Sequence, residues 1–553
     1  MDWVVRSEAV PLGDLLVRTA QRWPAIPAIA FPAEDLTYEE LFEESVRVAR
    51  GLLGLGIQRG DHIGVLAPNS PEYVTALFGA ALVGAVVVPL NVRSTSRELA
   101  YLVPHAELKL ILTTDRIAPR VNFVDRLQGA LPGLESCDGA HPLRFEDAPL
   151  LRHIVMLRGG SEGCALGRDQ FDETISRSSA EAVDSVRTRV RVADPALIMY
   201  TSGTTSNPKG CVISHEAIVR GSTARIGDAL PDDHGDDRHI MWVPLPLFHI
   251  AALQVFVFGV SAGASIITDI YLDADRALES IRKWRANSLW SGFMPPMRAL
   301  RTATGFDAAE LDWVRSIWTV GPEIEMRELL ELFPNAALVS GGGMSETTGW
   351  FCISTKDDSG EMRATTSGKL VAGAEVRVTD PDTGADLPDG QRGELLVRTY
   401  TVMDGYFKDP ERTAEAIDAD GWVHTGDLYT HLASGHMVYN GRVKDMLKVG
   451  GENVPAIEIE AFLCRHPNVV TAEIVGVPDD QLDEVPVAFV ELVPGTSVDA
   501  SDLISFCRGE LSTFKIPRAV YFMKSDEWPM SATKVNKRDL REKAIGLAAV
   551  PTG

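Results

Sequence analysis

The sequence predicts an α/β fold: a large N-terminal body of mostly parallel, βα-layered sheets and a small α+β C-terminal domain. Three observations support this prediction. The chain has 553 residues, more than one hydrophobic core usually organises. Apolar strand patterns alternate with amphipathic helix patterns along the first half, as in parallel sheets covered on both faces. The C-terminal part of the chain, about one hundred residues, has the length and pattern of a separate compact domain.

Helix start signals and apolar runs define the elements of the body. Thr37 followed by Glu40 forms a capping box, and Ser70 followed by Pro71 is a second helix start. These signals predict helices ending near Gly54 and over 70–82, with a third from about residue 96. Strands are predicted over 62–67, 85–90 and 108–112. This alternation predicts a parallel sheet between two helical layers.

The C-terminal domain is predicted from shorter patterns. Apolar runs over 470–477, 487–493 and 519–523 indicate strands, and residues 501–511 indicate a helix. The segment 133–149 is rich in glycine, proline and charge, which is typical of a surface loop.

Charge and cysteine content exclude several classes of protein. The net charge of −24 argues against a nucleic-acid partner, because nothing offsets phosphate repulsion. Any site for a phosphate-bearing ligand must therefore be locally basic. The six cysteines are scattered without a C-x-x-C pair, which favours reduced thiols over a metal–cysteine site. The sequence has no signal peptide, apolar run long enough to span a membrane or peroxisomal tripeptide, so we expect a cytoplasmic protein.

A loop of small hydroxyl residues between two apolar runs predicts a phosphate site. The loop contains Thr201, Ser202, Gly203, Thr204 and Thr205, whose hydroxyl and main-chain donors can surround an anion. Gly203 removes the Cβ that would block close approach. Lys209 supplies a point charge. A P-loop NTPase is excluded, because Pro208 precedes the lysine where that motif requires glycine.

The eleven residues from Tyr200 to Gly210 resemble the phosphate loop of the adenylate-forming superfamily. This superfamily contains acyl- and aryl-CoA ligases, nonribosomal peptide adenylation domains and firefly-type luciferases. The resemblance extends over the whole chain and is weakest over residues 115–193. It implies the adenylate-forming enzyme fold with a mobile C-terminal domain. It also implies that ATP, a carboxylic acid and coenzyme A are substrates, with Mg²⁺ bound to ATP.

Residues 244–250 resemble the second signature of the superfamily, in which a histidine ends a strand beside the acyl and pantetheine tunnel; His249 holds that position. Amino-acid-activating relatives carry an aspartate in this region. The segment from Val243 to Leu253 has none, so an amino acid is not the expected substrate. Apolar residues over 251–258 and around Trp290 are expected to form mainly core, with a minority lining an acyl pocket.

Two loops resemble the nucleotide-binding segments of the superfamily. Val320 to Glu323, with Gly321, corresponds to an adenine-contacting loop, and Ser340 to Thr347 resembles the family's Tyr-Gly-Met-Thr-Glu-Thr. In the second segment the resemblance assigns Gly341 and Ser345 to the nucleotide, and Glu346, with Thr204, to Mg²⁺. Gly342 stands where the family has an aromatic residue that stacks on adenine. Either another side chain holds adenine, or the space accommodates a bulkier acid.

Residues 421–428 match the family well, and residues 441–454, continuing to 458–460, are its third signature. Here the resemblance assigns Asp427 to both ribose hydroxyls and Arg442 to ribose or phosphate. Lys444 corresponds to the hinge residue, so the resemblance places the N-terminal body at residues 1–443 and the mobile C-terminal domain at residues 444–553. Lys448 corresponds to a position that contacts the acyl phosphate or carboxylate. Gly450 and Gly451 form the loop expected to contact pantetheine.

The tail over 529–538 resembles the segment that carries the catalytic lysine. Its usual Gly-Lys pair has lost the glycine, so Lys534 is the expected catalytic residue and Lys537 the alternative. The catalytic set is then Lys534, His249, Thr204 and Glu346.

The predicted activity is that of an AMP-forming acid–CoA ligase acting on a hydrophobic, bulky acid. Two alternatives share these motifs: an adenylating enzyme that loads a carrier protein, and a non-catalytic protein that binds acyl groups or nucleotide. The expected partners are the small-molecule acid, ATP and CoA, without nucleic acid or a membrane span. A homodimer is compatible with this class.

Overall fold

Strands and helices alternate through the body, as the capping signals predict. The computed structural model describes residues 9–137, 141–201, 208–226, 238–449, 452–479, 481–508, 510–531 and 534–548. Elements are numbered in chain order.

The elements up to residue 370 are α1 (Leu12–Arg22), β1 (Pro27–Ala30), β2 (Asp35–Thr37), α2 (Tyr38–Gly54), β3 (His62–Leu66), α3 (Pro71–Leu82), β4 (Val86–Pro89), α4 (Ser96–His105), β5 (Leu108–Thr113), α5 (Phe123–Ala130), β6 (His153–Met156), α6 (Arg168–Ile175), α7 (Ala180–Arg187), β7 (Pro195–Thr201), β8 (Lys209–Ser214), α8 (His215–Ile226), β9 (Ile240–Trp242), α9 (Ile250–Ala262), β10 (Ser265–Ile267), α10 (Ala274–Trp284), β11 (Ser288–Phe293), α11 (Met294–Arg301), β12 (Ser316–Val320), α12 (Glu323–Leu332), β13 (Ala337–Val339), β14 (Gly341–Met344), β15 (Gly349–Ile353), α13 (Gly360–Thr365) and β16 (Lys369–Leu370).

The remaining elements are β17 (Glu375–Thr379), β18 (Arg392–Arg398), β19 (Gly405–Tyr406), α14 (Pro410–Ala416), β20 (Val423–His431), β21 (Met437–Arg442), β22 (Met446–Val449), β23 (Glu452–Pro455), α15 (Ala456–Leu463), β24 (Val469–Asp479), β25 (Asp483–Leu492), α16 (Ala500–Cys507), β26 (Ala519–Phe522), β27 (Met530–Ser531), β28 (Lys534–Val535) and α17 (Lys537–Ala548).

Local signals explain where the first helices begin. The Thr37 hydroxyl accepts the backbone N–H of Glu40, and the Glu40 carboxylate accepts the N–H of Thr37 at 2.8 Å, so the predicted capping box is confirmed. Ser70 caps α3, with Pro71 in the first turn. Helix α9 is apolar on all sides and mostly buried, as expected for a helix packed between layers.

Two seven-stranded sheets form the body. The first has the order β13-β12-β11-β9-β10-β1-β2, and only β2 runs antiparallel to its neighbour. The second has the order β19-β8-β7-β4-β3-β5-β6, with β7, β8 and β19 paired antiparallel at one end. The largest hydrophobic core contains residues from both sheets and from helices α1, α2, α3, α8 and α9. The predicted mostly parallel, doubly covered architecture is therefore confirmed.

The chain forms two compact units. The first comprises residues 1–375 and 398–423, and the second comprises residues 376–397 and 424–553. The second unit contains a sheet in the order β23-β22-β25-β24, with β26 paired to β25. The strands predicted over 470–477, 487–493 and 519–523 all lie in this sheet. The helix predicted over 501–511 is observed over Ala500–Cys507, so it ends four residues earlier than expected. The boundary at residues 443 and 444 was placed at a pivot and stays a prediction.

Among the described residues, no helix is both long and apolar enough to cross a membrane.

Candidate active site

The two strands that flank the predicted phosphate loop form an antiparallel pair. Strand β7 ends at Thr201 and β8 begins at Lys209, and these two half-buried residues are opposite each other in the register. The predicted strand–loop–strand arrangement therefore exists at this edge of the second sheet. Ser202, Gly203, Thr204 and Thr205 lie outside the described residues.

Lys209 and Glu346 both contact one buried tyrosine. The hydroxyl of Tyr406 donates to Oε1 of Glu346 at 2.7 Å, and Nζ of Lys209 lies 4.6 Å from the centroid of the same ring. Burial, and then the Glu346 charge, raise the pKa of Tyr406 well above its ordinary value, so the phenol keeps its proton and acts as a donor. Lys209, which is predicted to contact phosphate, and Glu346, which is predicted to bind the metal, therefore both lie against Tyr406.

Backbone hydrogen bonds fix this arrangement. The segment 401–407 crosses between β8 and the turn that carries Glu346. The N–H of Met403 donates to the carbonyl of Glu346 at 2.9 Å, and the N–H of Phe407 donates to the carbonyl of Gly210 at 2.7 Å. Tyr406 itself pairs with Cys211 of β8. The side-chain contacts of Tyr406 therefore rest on a segment held from both sides.

The turn that carries Glu346 follows the glycine run. Gly341 to Met344 form β14, and Ser345 to Thr347 form one 3₁₀ turn. Ser345 and Glu346 are both half-buried. A Cβ at Gly341 would meet the carbonyl oxygen of Cys352 at 2.9 Å, which requires glycine at this position. Gly342 is buried and lies opposite Cys352 in the register.

Three tryptophans stack beside this strand pair. The rings of Trp290 and Trp318 lie 3.7 Å apart, with 11° between their planes. Trp350 stacks on Trp318 at a centroid distance of 5.4 Å. Trp290 and Trp318 are buried, while Trp350 is half-buried. A Cβ at Gly341 would lie 3.5 Å from the Trp350 ring, so the stack borders the glycine strand.

Met294 and Met297, which precede and follow the Pro-Pro pair, are buried core residues, whereas Phe293 is half-buried. Gly321 follows β12 at the exposed end of this region. A Cβ there would fall 2.1 Å from Cγ of Met294, so no larger residue fits without a shift. These placements agree with the expectation that most of this apolar set is core.

His249 occupies the N-cap position of a helix and does not end a strand. Strand β9 ends at Trp242, and His249 is the N-cap residue of α9. The expectation drawn from the resemblance is therefore corrected here, because residues 243–249 form a loop after a short strand. Burial, and then the charge of Arg93, lower the pKa of His249 to about 4. The imidazole is therefore neutral near pH 7.

In the second unit, Asp427 and Arg442 are cross-strand neighbours on β20 and β21. Nε of Arg442 lies 3.0 Å from Oδ1 of Asp427. Asp427 is 9% exposed. The buried carboxylate can accept hydrogen bonds from hydroxyl groups, and the guanidinium beside it can bind a phosphate.

The predicted hinge residues follow directly. Lys444 lies exposed in a 3₁₀ turn over 443–445, and Lys448 is exposed on β22. Gly450 and Gly451 lie outside the described residues.

The two candidate lysines of the tail differ. The backbone of Lys534 pairs with Ser531 in a two-stranded ribbon, and its side chain lies outside the described part of the structure. Nζ of Lys537 lies 2.5 Å from Glu460 and 3.4 Å from Glu473. Burial lowers the pKa of Lys537, but the carboxylates outweigh this and hold it above its ordinary value. Lys537 is therefore held in an ion-pair cluster.

Sequence reasoning did not identify Tyr406. Glu346 and Tyr406 are 60 residues apart in the chain, and no motif links them. Only the pairing of β19 with β8 brings this tyrosine to the site.

Comparison with known proteins identifies the family. The family model of the AMP-binding enzyme matches residues 16–407, and that of the AMP-binding enzyme C-terminal domain matches residues 458–534. The chain is 32% identical over 562 residues to acyl-CoA ligase sidI of Aspergillus fumigatus, covering 97% of this chain and 92% of the relative. It is 31% identical over 517 residues to 4-coumarate–CoA ligase 1 of Petroselinum crispum, covering 92% of this chain and 89% of the relative.

Solved structures show the same fold. An anthranilate CoA ligase, AuaEII, in complex with anthranoyl-AMP has a TM-score of 0.83 at 24% identity, covering 98% of both chains. ATP-bound MatB from Rhodopseudomonas palustris has a TM-score of 0.81 at 25% identity, covering 97% of this chain and 99% of that chain. With both family models matched along its length, the chain belongs to the AMP-binding enzyme family, in the acid–CoA ligase branch of the adenylate-forming superfamily, whose members are AMP-forming acid–thiol ligases.

Proposed function

We propose that this protein is an ATP-dependent ligase that joins a hydrophobic, bulky carboxylic acid to CoA through an acyl-adenylate. The observation that carries the proposal is that Lys209 and Glu346 both contact the side chain of Tyr406, beside the strands that flank the phosphate loop. The cation can bind the phosphates of a triphosphate, and the carboxylate can bind the metal ion that accompanies it.

The first half-reaction makes the adenylate. The carboxylate of the acid attacks the α-phosphorus of ATP, and pyrophosphate leaves. Negative charge accumulates on the phosphoryl oxygens, and preorganised donors stabilise it. We assign this role to Lys209, Lys534 and the loop residues Thr201, Ser202, Gly203, Thr204 and Thr205. The ion pairs of Lys537 with Glu460 and Glu473 support Lys534 as the catalytic lysine.

The nucleoside part of ATP is assigned to three segments. Asp427 accepts the ribose hydroxyls, and Arg442, which lies 3.0 Å from it, contacts ribose or phosphate. Gly321 and Gly341 border the adenine, and Ser345 donates to a phosphate.

Mg²⁺ fits the residues present. Groups of three or more metal-binding side chains are absent from the described residues, but Mg²⁺ is commonly held by one or two carboxylates with substrate phosphates and water. Glu346 offers such a carboxylate, and we assign Thr204 as a second ligand. When bound, Mg²⁺ neutralises charge on the ATP phosphates.

The second half-reaction forms the thioester. The thiol of CoA attacks the acyl carbonyl, and AMP leaves. We propose that the C-terminal domain turns about Lys444 between the two half-reactions, so that Gly450, Gly451 and Lys448 replace Lys534 at the reaction centre. His249 is neutral near pH 7 because burial lowers its pKa to about 4, and we assign it to the passage for the thiol.

Two features support a hydrophobic acid. The indole of Trp350, which is half-buried and stacks on Trp318 at a centroid distance of 5.4 Å, offers apolar surface beside β14. Gly342 stands where the family carries an aromatic residue, and we assign this position to the acyl pocket. The six free cysteines support a reducing compartment such as the cytoplasm.

The test is pyrophosphate release over a panel of carboxylic acids, with and without CoA. We expect pyrophosphate release with large hydrophobic acids, and AMP release that requires free CoA. Adenylate formation without a response to CoA would favour loading of a carrier protein. The absence of pyrophosphate release with every acid, despite ATP binding, would favour the non-catalytic alternative.

A further inference from the structure

The side chain of Tyr406 contacts two groups of opposite charge. Its hydroxyl lies 2.7 Å from Oε1 of Glu346, and its ring face lies 4.6 Å from Nζ of Lys209. The tyrosine is 8% exposed, so both contacts form largely away from water. Such contacts are stronger than they would be at the surface.

The hydroxyl contact restricts Glu346. A carboxylate has two oxygens, and the donor occupies Oε1. The backbone of Glu346 is fixed as well, because its carbonyl accepts the N–H of Met403 at 2.9 Å. With one oxygen and the main chain held, the second oxygen has a restricted set of directions. A hard cation that bridges to phosphate gains from a carboxylate oriented in advance.

The ring contact restricts Lys209. An ammonium over an aromatic face is attracted by the ring quadrupole. Without the ring, the amine and the carboxylate would be free to form an ion pair. Such a pair would neutralise the two charges that a phosphate and a metal require. A single tyrosine therefore keeps both groups in place and apart.

From these contacts we infer that Tyr406 is a positioning residue, which orients Glu346 toward the metal of MgATP and holds Lys209 for the phosphates. This inference rests on the proposed function of the site as a nucleotide site. It assigns the two parts of the Tyr406 side chain different tasks: the hydroxyl serves metal-dependent binding, and the ring serves binding of the phosphates.

The test measures ATP affinity by calorimetry, with Mg²⁺ present and with Mg²⁺ removed by chelation. In Tyr406→Phe the hydroxyl is lost and the ring stays. We expect the Kd of MgATP to rise about tenfold, the effect of losing one hydrogen bond to a charged group. The Kd of metal-free ATP should stay within about twofold. In Tyr406→Leu both affinities should weaken, because Lys209 is released too.

Two controls separate positioning from general stability. Tyr38→Phe removes a hydroxyl that donates to the carbonyl of Ala264 at 2.7 Å; Tyr38, like Tyr406, is a buried tyrosine of the body. It should lower the melting temperature without changing either Kd. On a Glu346→Gln background, Tyr406→Phe should have no further effect on MgATP affinity, because the group it orients is gone.

An unchanged MgATP affinity in Tyr406→Phe would overturn the inference. The same conclusion would follow from an equal loss with and without Mg²⁺, or from a full loss on the Glu346→Gln background. These are binding measurements that need neither acid nor CoA. If the wild-type protein binds MgATP but forms no thioester, the proposed function fails while the role of Tyr406 is still decided.

Discussion

Replacing Lys537 tests whether this lysine stabilises the fold or performs chemistry. Its amine lies 2.5 Å from Glu460 and 3.4 Å from Glu473, and the three side chains are 23%, 15% and 21% exposed. Glu460 is held further, because its Oε1 accepts the N–H of Ile474 at 2.8 Å. Lys537→Met would leave two neighbouring carboxylates without their cation.

The cost follows from this partial burial. Removing one partner of a fully buried ion pair costs about 3–5 kcal/mol, because the other charge stays behind. The lysine and both carboxylates keep some exposure, so we expect a loss near the lower end, about 3 kcal/mol. This loss corresponds to about a hundredfold faster exchange of those amide hydrogens that are exposed when the local structure opens.

Native-state hydrogen exchange measured by mass spectrometry is the suitable assay, because a chain of 553 residues need not unfold in one step. Peptides from β24 and α17 should exchange faster in Lys537→Met. Peptides from the first unit, such as those covering α2 and α3, serve as the internal reference and should be unaffected. Glu473→Gln in the same chain should restore most of the protection.

The pH dependence gives a second readout. Burial, and then Glu460, raise the pKa of Glu473 to about 7, above its value in an unfolded chain. A carboxyl with a raised pKa destabilises the folded state as the pH increases from the unfolded pKa to the folded one. Lys537→Met removes the cation that favours the charged form of Glu473. The loss of stability caused by this substitution should therefore be largest near pH 8 and smaller near pH 5.5.

Two results would refute this reasoning. One is an exchange penalty of equal size at both pH values, which would mean that Glu473 does not take up a proton when the lysine is lost. The other is the loss of adenylate formation in Lys537→Met molecules that remain folded. That result would assign the chemistry to Lys537 and remove it from Lys534.

Three further predictions concern the site. Lys534→Ala should lower adenylate formation by about 10²–10³-fold and spare thioester formation from supplied acyl-adenylate; equal loss in both half-reactions, measured by pyrophosphate and thioester assays, would contradict the assignment. Gly342→Tyr should reduce turnover of large acids with little change in ATP affinity, whereas tighter ATP binding with an unchanged range of acids would show that the space serves adenine. Gly321→Ala places a Cβ 2.1 Å from Cγ of Met294 and should cost about 1–3 kcal/mol of stability in thermal unfolding; Met294→Ala in the same chain should recover part of that loss, and no recovery would mean that backbone strain is the cause.

Most of the fold could be predicted because its signals are local. The capping box of Thr37 and Glu40 and the Ser70–Pro71 start act within one helical turn, and each begins a helix where expected. Strands such as β3 and β4 could be predicted because both faces of a parallel sheet are buried, so that their sequences are continuous apolar runs. The resemblance placed His249 at a strand end, but the three-residue strand β9 ends at Trp242. His249 instead occupies the N-cap position of α9.

The candidate site was less accessible, because its contacts are long-range. Lys209 and Glu346 were found from motifs, but the tyrosine that touches both lies 60 residues beyond Glu346 in a two-residue strand. The ion pairs of Lys537 are equally remote, since Glu460 lies 77 residues before it in the chain. Pattern and spacing cannot reveal such partners, because sheet pairing and domain packing decide them.

The stack of Trp290, Trp318 and Trp350 gives the protein an internal optical reporter. Indoles 3.7 Å apart with nearly parallel planes couple their electronic transitions, which produces a characteristic signal in circular dichroism. Trp350 is half-buried and stacks on Trp318, so a change around Trp350 should alter this signal. In the proposed function, an acid that binds against Trp350 would change this circular-dichroism signal without any label, so candidate acids can be compared by titration.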